Sequence, residues 1–215
     1  MKKRKFDSFN TDELDELFGL RRAKQLPVLQ QWITASHLAE ADYAARIVRL
    51  QSLLTDNADA WNEDELKIFF IGPFINEAEL HTDNFKPFTQ RAMSISLPEK
   101  EIEMLGKVEF MLAQGRINPK KPFFFLHEYK QERRRETDPL AQVLIAMLAA
   151  RAYNQHDYPD YGCYVAGRLW FFVIAVGNEY AVSPSYDATN KDEIFQIFSI
   201  LREVKNIAID IFSSK

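Results

Sequence analysis

The sequence of 215 residues predicts a mixed α/β (α+β) fold, with a central mixed sheet flanked by helices. Apolar residues recur at three- and four-residue steps towards both ends of the chain, as they do in amphipathic helices. The middle of the chain carries alternating, branched and aromatic runs separated by turn residues, which are typical of strands. One almost wholly apolar helix falls between these strand segments. Strands around a buried helix, with further helices at both ends, indicate this fold class.

The N-terminal part of the chain is predicted to be helical. Apolar residues follow helical spacing from Thr11 to Leu54, in two or three segments. Asn10 precedes Thr11 and two acids, and this order favours a helix start because a capping side chain and early acids stabilise the first turn. We therefore expect a helical N-terminal region over residues 1–58 and a core domain over residues 59–215.

The elements of the core domain are predicted from start and stop signals. Asn62 before three acids favours a helix start, and Pro98 ends an alternating run. Asp138 followed by Pro139 begins the apolar helix. The predicted elements are a helix at 62–80, strands at 93–97 and 106–112, a loop at 115–122, a strand at 123–130, a helix at 139–153, strands at 161–166, 168–176 and 180–182, and a helix at 191–211.

Composition excludes several classes of site. The net charge of -4 gives the whole molecule no attraction for a polyanion, so any binding of nucleic acid must be local. The only cysteine, Cys163, excludes an internal disulfide and a cysteine-rich zinc site, and we expect it to be buried. No apolar stretch is long enough for a membrane span, and acids and polar residues follow the basic N-terminus where a secretory signal needs an apolar region. These features predict a cytoplasmic protein with no membrane contact.

The strongest sign of chemistry is the segment Phe123 to Lys130, an apolar strand that ends in Glu-Tyr-Lys. Side chains two residues apart in a strand share a face, so Glu128 and Lys130 are expected to project together, about 7 Å apart. A carboxylate is the hard oxygen ligand that Mg²⁺ binds, and a nearby ammonium can orient or help deprotonate a water and offset phosphate charge. The pattern favours a metal-dependent hydrolytic site that needs another acid.

Glu109 is the candidate for that other acid. It stands between apolar neighbours in the preceding strand, and a hairpin-like connection would bring that strand beside Glu128. A carboxylate in an apolar strand costs free energy unless it is paired or bound to a cation. The alternative is an edge-strand acid that faces solvent, with Glu128 and Lys130 as an ordinary exposed ion pair. The residues alone leave both interpretations open.

Together these motifs resemble the PD-(D/E)xK nuclease superfamily, which has the restriction-endonuclease-like fold. The resemblance rests on the order of an acid-bearing helix, Gly106–Phe110, Glu128–Lys130, Asp138–Gln142 and a following strand pair, and covers roughly residues 60–211. The segment Tyr161–Phe172 is also similar to one in a group of uncharacterised bacterial proteins of this superfamily. The resemblance implies a restriction-endonuclease-like core behind the helical N-terminal region.

The resemblance also implies roles for individual residues. Glu109 and Glu128 would hold Mg²⁺ or Mn²⁺, Lys130 would serve the water, and Gln142 would support the site from the next helix. The first metal acid of such proteins is most often aspartate, and this chain departs from that pattern with Glu109. The extra methylene moves the carboxylate, which matters because Mg²⁺ demands tight octahedral placement.

An acid of the first core helix often joins such sites. Glu63 is the expected one, with Glu65 as the alternative. Both residues also stand where acids stabilise the start of a helix, and this capping role is the competing explanation for each of them.

A basic cluster beside the predicted site is expected to hold a nucleic-acid backbone. Its members are Lys120, Lys121, Arg133, Arg134 and Arg135. Acids are interleaved with the arginines, so a solvated charged loop is the alternative.

The sequence and the resemblance lead to two hypotheses of different classes. The first is a Mg²⁺- or Mn²⁺-dependent nuclease that hydrolyses phosphodiester bonds, with DNA expected before RNA as its partner. The second is a catalytically inactive protein of the same fold that binds nucleic acid or protein, because a fold does not fix a function. The oligomeric state is left open, with a homodimer as one alternative.

Overall fold

The computed structural model describes residues 2–37, 41–98, 101–130 and 138–213, with the side chains at 122–128, 130, 212 and 213 outside that description. Within the described residues, nine strands form one mixed sheet. They are β1 (Lys2–Lys5), β2 (Arg21–Arg22), β3 (Lys86–Leu97), β4 (Ile102–Gln114), β5 (Lys120–Lys130), β6 (Asp160–Ala166), β7 (Leu169–Val176), β8 (Glu179–Val182) and β9 (Tyr186–Asp187). The mixed α/β class predicted from the sequence is confirmed.

The helices surround this sheet in the order that the sequence predicts. They are α1 (Thr11–Phe18), α2 (Pro27–Ile33), α3 (Ala41–Asn57), α4 (Glu63–Leu66), a π-helical turn (Lys67–Ile71), α5 (Gly72–Glu77), α6 (Pro139–Asn154) and α7 (Lys191–Ser213). Asn10 and Asn62 both form capping boxes, in which each side chain accepts a hydrogen bond from a backbone N–H three residues later. In the described part of the chain, no helix is both long and apolar enough to cross a membrane.

The centre of the sheet combines antiparallel and parallel pairs. The strands lie in the order β1-β4-β5-β6-β7-β8-β2, with β3 paired to β4 and β9 to β7. β3, β4 and β5 are antiparallel neighbours, whereas β5 and β6 are parallel and are connected through α6. A parallel pair needs such a crossover because its strands run in the same direction. The C-terminal end of β5 and the start of α6 are therefore close to each other in the sequence.

Two apolar cores cover the two faces of the sheet. On one face, the helices α2, α3, α5 and α7 pack around residues such as Phe172 and Ile174. On the other face, α1 and α6 pack around residues such as Val173 and Ala175. The alternation along β7 puts successive side chains into different cores, as the pleat of a strand requires. Both faces are thus buried, which explains why β7 reads as an unbroken apolar run.

The sheet differs from the predictions in several places, which include β2 and β9, neither of them predicted, and β3, which begins at Lys86 and not at residue 93. The loop expected at 115–122 ends at Pro119, and Lys120 to Pro122 already belong to β5. The pairing of β4 with β5 shifts register between Ala113 and Gln114, and proline is tolerated in a strand at such irregular pairing. The sequence also did not predict β1, whose consecutive basic residues carry no apolar alternation. β1 and β2 place the N-terminal segment in the same sheet as the core, and the boundary at residue 58 stays a prediction.

Candidate functional site

Glu109 lies where β4 changes the face to which its side chains belong. Val108 packs into the core under α6, whereas Phe110 packs into the opposite core. Residues two positions apart in a regular strand would share a face. On the paired strand, Gln90 has a positive φ of 53° between the register pairs Thr89↔Phe110 and Arg91↔Val108. The register of the two strands is the same on both sides of Gln90, so the pairing is interrupted at this one position without an inserted residue. The break frees the Glu109 side chain from the regular pattern of the strand.

A lysine joins Glu109 to the acid of the first core helix. The Lys67 ammonium lies 2.9 Å from Oε2 of Glu109 and 2.6 Å from Oε1 of Glu63. Gln90 also donates a hydrogen bond from Nε2 to Oε2 of Glu109. The exposed fraction is 20% for the Lys67 side chain and 15% for that of Glu109. We call Glu63, Lys67, Gln90 and Glu109 the acid cluster. Its two carboxylates converge on one cation.

The electrostatics of the acid cluster favour the charged state of its lysine. Burial by itself would lower the pKa of Lys67, but hydrogen bonds to Glu63 and Glu109 outweigh burial, and the pKa lies above its ordinary value. The ammonium also lies 5.8 Å from the centre of the Tyr129 ring, within the range of a cation–π contact. Lys67 therefore remains protonated at neutral pH and neutralises part of the acidic charge.

The helix that carries Glu63 and Lys67 has an irregular geometry at this point. Glu63 is in the first turn of α4, and Lys67 follows it by four residues on the same helix face. The turn from Lys67 to Ile71 is π-helical, and a Cβ at Gly72 would lie 3.0 Å from the Lys67 carbonyl oxygen. π-Helical turns often occur at functional sites. Glu65, the alternative acid, instead accepts the Asn62 backbone N–H in the capping box.

Glu128 and Lys130 lie at the C-terminal end of β5, next to the acid cluster. Their backbone positions pair with Tyr164 and Ala166 of β6. Their side chains are outside the description, so their predicted convergence with Glu109 stays a prediction. Tyr129 between them is 5% exposed and belongs to the core that contains Phe110.

Gln142, predicted to support the site, is buried at the start of α6. It is 6% exposed, and its Nε2 has no hydrogen-bond partner among the residues that the structure describes. An unpaired buried amide costs free energy, so a donor left in this state is suited to a ligand. The Asp138 side chain caps α6 by accepting the backbone N–H of Ala141, and this contact fixes where the first turn begins. The predicted start of this helix at Pro139 is confirmed.

Two clefts meet at Glu109 and Gln90. The first, which we call the α6 cleft, has a volume of about 530 Å³ and is lined by both of these residues and by Gln142. The rest of its lining consists of Lys5, Phe6, Asp7, Leu105, Gly106, Lys107, Val108, Val143 and Ala146. The second cleft has a volume of about 450 Å³ and lies beneath the π-helical turn, with Lys67 and Tyr129 in its lining. Glu109 is therefore accessible from both faces of the sheet.

Two members of the predicted basic cluster lie among the described residues. Lys120 and Lys121 are exposed at the beginning of β5, eight and seven residues before Glu128, which is about 25 Å along a strand. Lys121 lies over the Tyr153 ring, with its ammonium 5.9 Å from the ring centre. The arginines at 133–135 lie outside the described residues. Lys120 and Lys121 are thus separated from the acid cluster by most of the length of β5.

The described residues supply two of the acids that a metal site needs. In that part of the chain, no group of three or more His, Cys, Asp or Glu side chains has the arrangement to hold a metal ion. Glu63 and Glu109 are brought together, and Glu128 would be the third acid. Lys67 and Gln90 were not predicted as members of the site, although the spacing of four residues from Glu63 to Lys67 is that of a helical ion pair.

Comparison of the chain with protein-family models and with curated proteins returned no match.

Proposed function

We propose that the protein is a divalent-metal-dependent phosphodiester hydrolase that acts on nucleic acid, with DNA before RNA as its substrate. The observation that carries the proposal is the convergence of the Glu63 and Glu109 carboxylates on a single cation, within 3 Å of the Lys67 ammonium. Carboxylates held this close repel each other unless a positive charge lies between them. A site with this geometry is suited to Mg²⁺ or Mn²⁺ as well as to an ammonium.

The order of elements supports the proposal independently of the acid cluster. An acid-bearing helix is followed by a strand with Glu109, a strand with Glu128 and Lys130, a helix with Gln142 and a strand pair. This is the order on which the resemblance to the PD-(D/E)xK superfamily rests. The break in β4 at Glu109 adds a local reason for that residue to leave the regular face of the strand.

The residues present fit a metal of hard character. Glu63, Glu109 and Glu128 would hold it through carboxylate oxygens, which Mg²⁺ and Mn²⁺ prefer. When bound, the metal would polarise a phosphate and lower the pKa of a water. Lys130 would orient that water and offset phosphate charge. The Gln142 amide is buried at the α6 cleft and has no partner in the described part of the chain, and it would donate a hydrogen bond to an oxygen of the substrate.

One observation favours a second function, that of a non-catalytic binding module. The Lys67 ammonium already occupies the space between the two carboxylates and satisfies both of them. A fixed internal cation makes the acid cluster stable without any metal, as in a structural ion pair. In that case the fold would serve to bind nucleic acid or protein, and Mg²⁺ would have no effect on this binding.

A cleavage panel with matched variants decides between the two functions. Purified protein is incubated with single-stranded, duplex and branched DNA and RNA, with and without Mg²⁺ or Mn²⁺. We expect metal-dependent cleavage that is lost in Glu109→Gln and Glu128→Ala and kept in Glu179→Gln, an exposed acid on β8. Metal binding is measured in parallel by calorimetry. If neither Glu109→Gln nor Glu128→Ala changes the metal affinity, the result would contradict the catalytic function and favour the binding module.

The proposed location of this activity is the cytoplasm. Cys163 is a free, fully buried thiol, and burial raises its pKa well above the ordinary value. A chain with a single unpaired cysteine gains nothing from an oxidising compartment, where disulfides stabilise secreted domains.

A further inference from the structure

We propose that the α6 cleft binds the phosphates of a polynucleotide backbone and that β1 forms its rim. The inference deepens the proposed function, on which it rests for the identity of the ligand as nucleic acid. It assigns phosphate contacts to Lys5 and Lys107, two residues that belong to none of the basic clusters in the middle of the chain.

The cleft opens where two strands end beside β4. β3 pairs along one side of β4 from Ile102 to Ala113, so β1 and β5 must share the other side. β1 pairs with Ile102–Leu105, and the pairs with β5 begin at Phe110. Residues 106–109 therefore lie between the end of β1 and the end of β5. This interval contains Lys107 and Glu109, and the two strand ends contribute Lys5 and Lys130.

Gly106, in this interval, is in close contact with an aromatic ring. The Phe6 ring packs directly on Gly106, and a Cβ at position 106 would overlap its ring atoms Cδ2 and Cγ. The chain turns away from the sheet at this point, in a 3₁₀ turn from Phe6 to Ser8. Lys5 is consequently the last residue of β1, and it lies at the mouth of the cleft.

The basic residues of β1 divide into paired and unpaired ones. Arg4 donates to Glu13 at 2.9 Å, and the Lys3 ammonium lies 3.5 Å from Glu103. Lys5 and Lys107 are exposed, and neither forms an ion pair with an acid among the described residues. Lys5 and Lys107 both line the α6 cleft, and since no acid of the described residues pairs with either of them, they are available to an external anion.

The acids of the cleft offset only part of this charge, because Glu109 already has a cation as its partner. Glu109 is held by Lys67 and Gln90, and Asp7 is the other acid in the lining. The Gln142 amide adds a buried donor that no described residue satisfies. A phosphate oxygen is a strong acceptor, so it would pair this donor at the same time as it meets the ammonium groups.

Lysines also occur on edge strands because they discourage pairing between sheets. That role needs neither a cleft nor a buried hydrogen-bond donor. The shared cleft of Lys5, Lys107 and Gln142 is what distinguishes a phosphate site from edge protection. A backbone bound there would run beside Glu109, where the proposed function needs the scissile phosphate.

The test is the salt dependence of binding, measured in EDTA so that no cleavage occurs. Fluorescently labelled single-stranded and duplex oligonucleotides of DNA and RNA are titrated with wild-type protein and with the double variant Lys5→Gln, Lys107→Gln. Each lost phosphate contact lowers the slope of log K against log salt concentration. We expect the double variant to lose about 1.4 in slope for single strands and about 1.8 for duplexes.

Two controls separate the cleft from general surface charge. Lys191→Gln removes an exposed charge on α7, a helix that packs on the opposite face of the sheet. This variant should leave the slope unchanged. Lys3→Gln removes a charge on the same strand that already pairs with Glu103, and it should also leave the slope unchanged. If the double variant does not fold, as judged by its melting curve, each single variant is expected to show half of the loss. A wild-type slope in folded Lys5 and Lys107 variants, or an equal loss in Lys3→Gln, would overturn the proposal.

The failure of this proposal is distinguishable from failure of the proposed function. Wild-type protein that binds with the expected slope but cleaves nothing in Mn²⁺ contradicts the nuclease function and leaves the phosphate site in place. Protein that cleaves normally, while the double variant keeps the wild-type slope, contradicts the phosphate site and leaves the nuclease function in place.

Discussion

Replacement of Lys67 by methionine tests the energetic role of the acid cluster. Methionine keeps the apolar stem but removes the ammonium from between Glu63 and Glu109. The contact with Glu63 is a helical pair between partly exposed groups, and such pairs contribute about 0.5 kcal/mol. The contact with Glu109 joins two side chains that are each at least four-fifths buried, and a charged hydrogen bond of this kind contributes about 2 kcal/mol. We expect Lys67→Met to lower the free energy of unfolding by about 2–3 kcal/mol.

Urea denaturation at neutral pH measures this difference directly. A loss of this size lowers the midpoint by about 1 M in urea. Lys24→Met, which removes an exposed ammonium from the surface, should stay within about 0.5 kcal/mol of the wild type. A Lys67→Met protein as stable as the Lys24→Met control would refute the reasoning, because the acid cluster would then contribute no net stability.

The direction of the Lys67 pKa shift predicts how the stability difference between wild type and Lys67→Met changes with pH. The pKa of Lys67 is raised in the folded protein above its ordinary value of 10.5. The stability that the raised pKa represents is therefore fully present below the pKa of the unfolded chain and is lost as the pH rises through the folded value. The difference between wild type and Lys67→Met should be constant from pH 7 to about 10 and should decrease above that range.

A divalent cation should partly replace the missing ammonium. In Lys67→Met the two carboxylates are left without the cation that separated them, so Mn²⁺ should raise the melting temperature of this variant more than that of the wild type. Adding Glu109→Gln should abolish this gain. Equal responses of wild type and Lys67→Met to Mn²⁺ would show that Lys67 does not compete with a metal.

Two further predictions concern the surroundings of the site. Gly106→Ala should destabilise the protein by about 1–3 kcal/mol, measured by thermal denaturation, because the added methyl group overlaps the Phe6 ring; an unchanged melting temperature would mean that the ring is not fixed. Cys163 should not react with thiol reagents in the native protein at pH 8 and should react after unfolding in urea, because the side chain is fully buried and burial raises its pKa; rapid native labelling would contradict the packing of β6.

The sequence was sufficient for elements whose signals are local. α6 begins at Pro139 because Asp138 caps it, and β6, β7 and β8 follow from branched and aromatic runs divided by glycine turns. β1 was missed because a run of four basic residues has no apolar period, and its strand conformation depends on pairing with Ile102–Leu105, a contact distant in sequence. Non-local pairing of this kind is invisible to periodicity.

The candidate site was predictable only in part, because some of its contacts also join residues that are distant in the sequence. Glu63 and Glu109 were both selected as acids, and the structure brings them together through Lys67. The lysine was overlooked because a pair four residues apart on a helix is usually an exposed ion pair. Its second partner, Glu109, becomes visible only when the helix docks on β4. Gln90 was also beyond prediction, since its role depends on a positive φ that breaks the pairing of β3 with β4.

The glutamate at position 109 can be explained by the distance that it spans. The carboxylate reaches Lys67 and Gln90 from a strand whose pairing is broken at that residue. Aspartate would withdraw the carboxylate by about 1.5 Å, one carbon–carbon bond. The 2.9 Å contact with Lys67 would then lengthen beyond hydrogen-bonding distance, and the carboxylates of Glu63 and position 109 would no longer converge.

Glu109→Asp therefore tests whether this chain has adapted its site to the longer side chain. We expect the variant to lose about 1–2 kcal/mol of stability through the broken contacts and to bind Mn²⁺ about tenfold more weakly, as measured by calorimetry. Glu103→Asp, a change of the same kind at the partly exposed acid that pairs with Lys3, should alter neither quantity. Tighter metal binding or faster cleavage by Glu109→Asp would contradict the argument, because it would make the native glutamate an imperfect substitute for aspartate. Weaker binding would instead mean that Glu63, Lys67 and Glu109 form one unit whose spacing depends on the additional methylene.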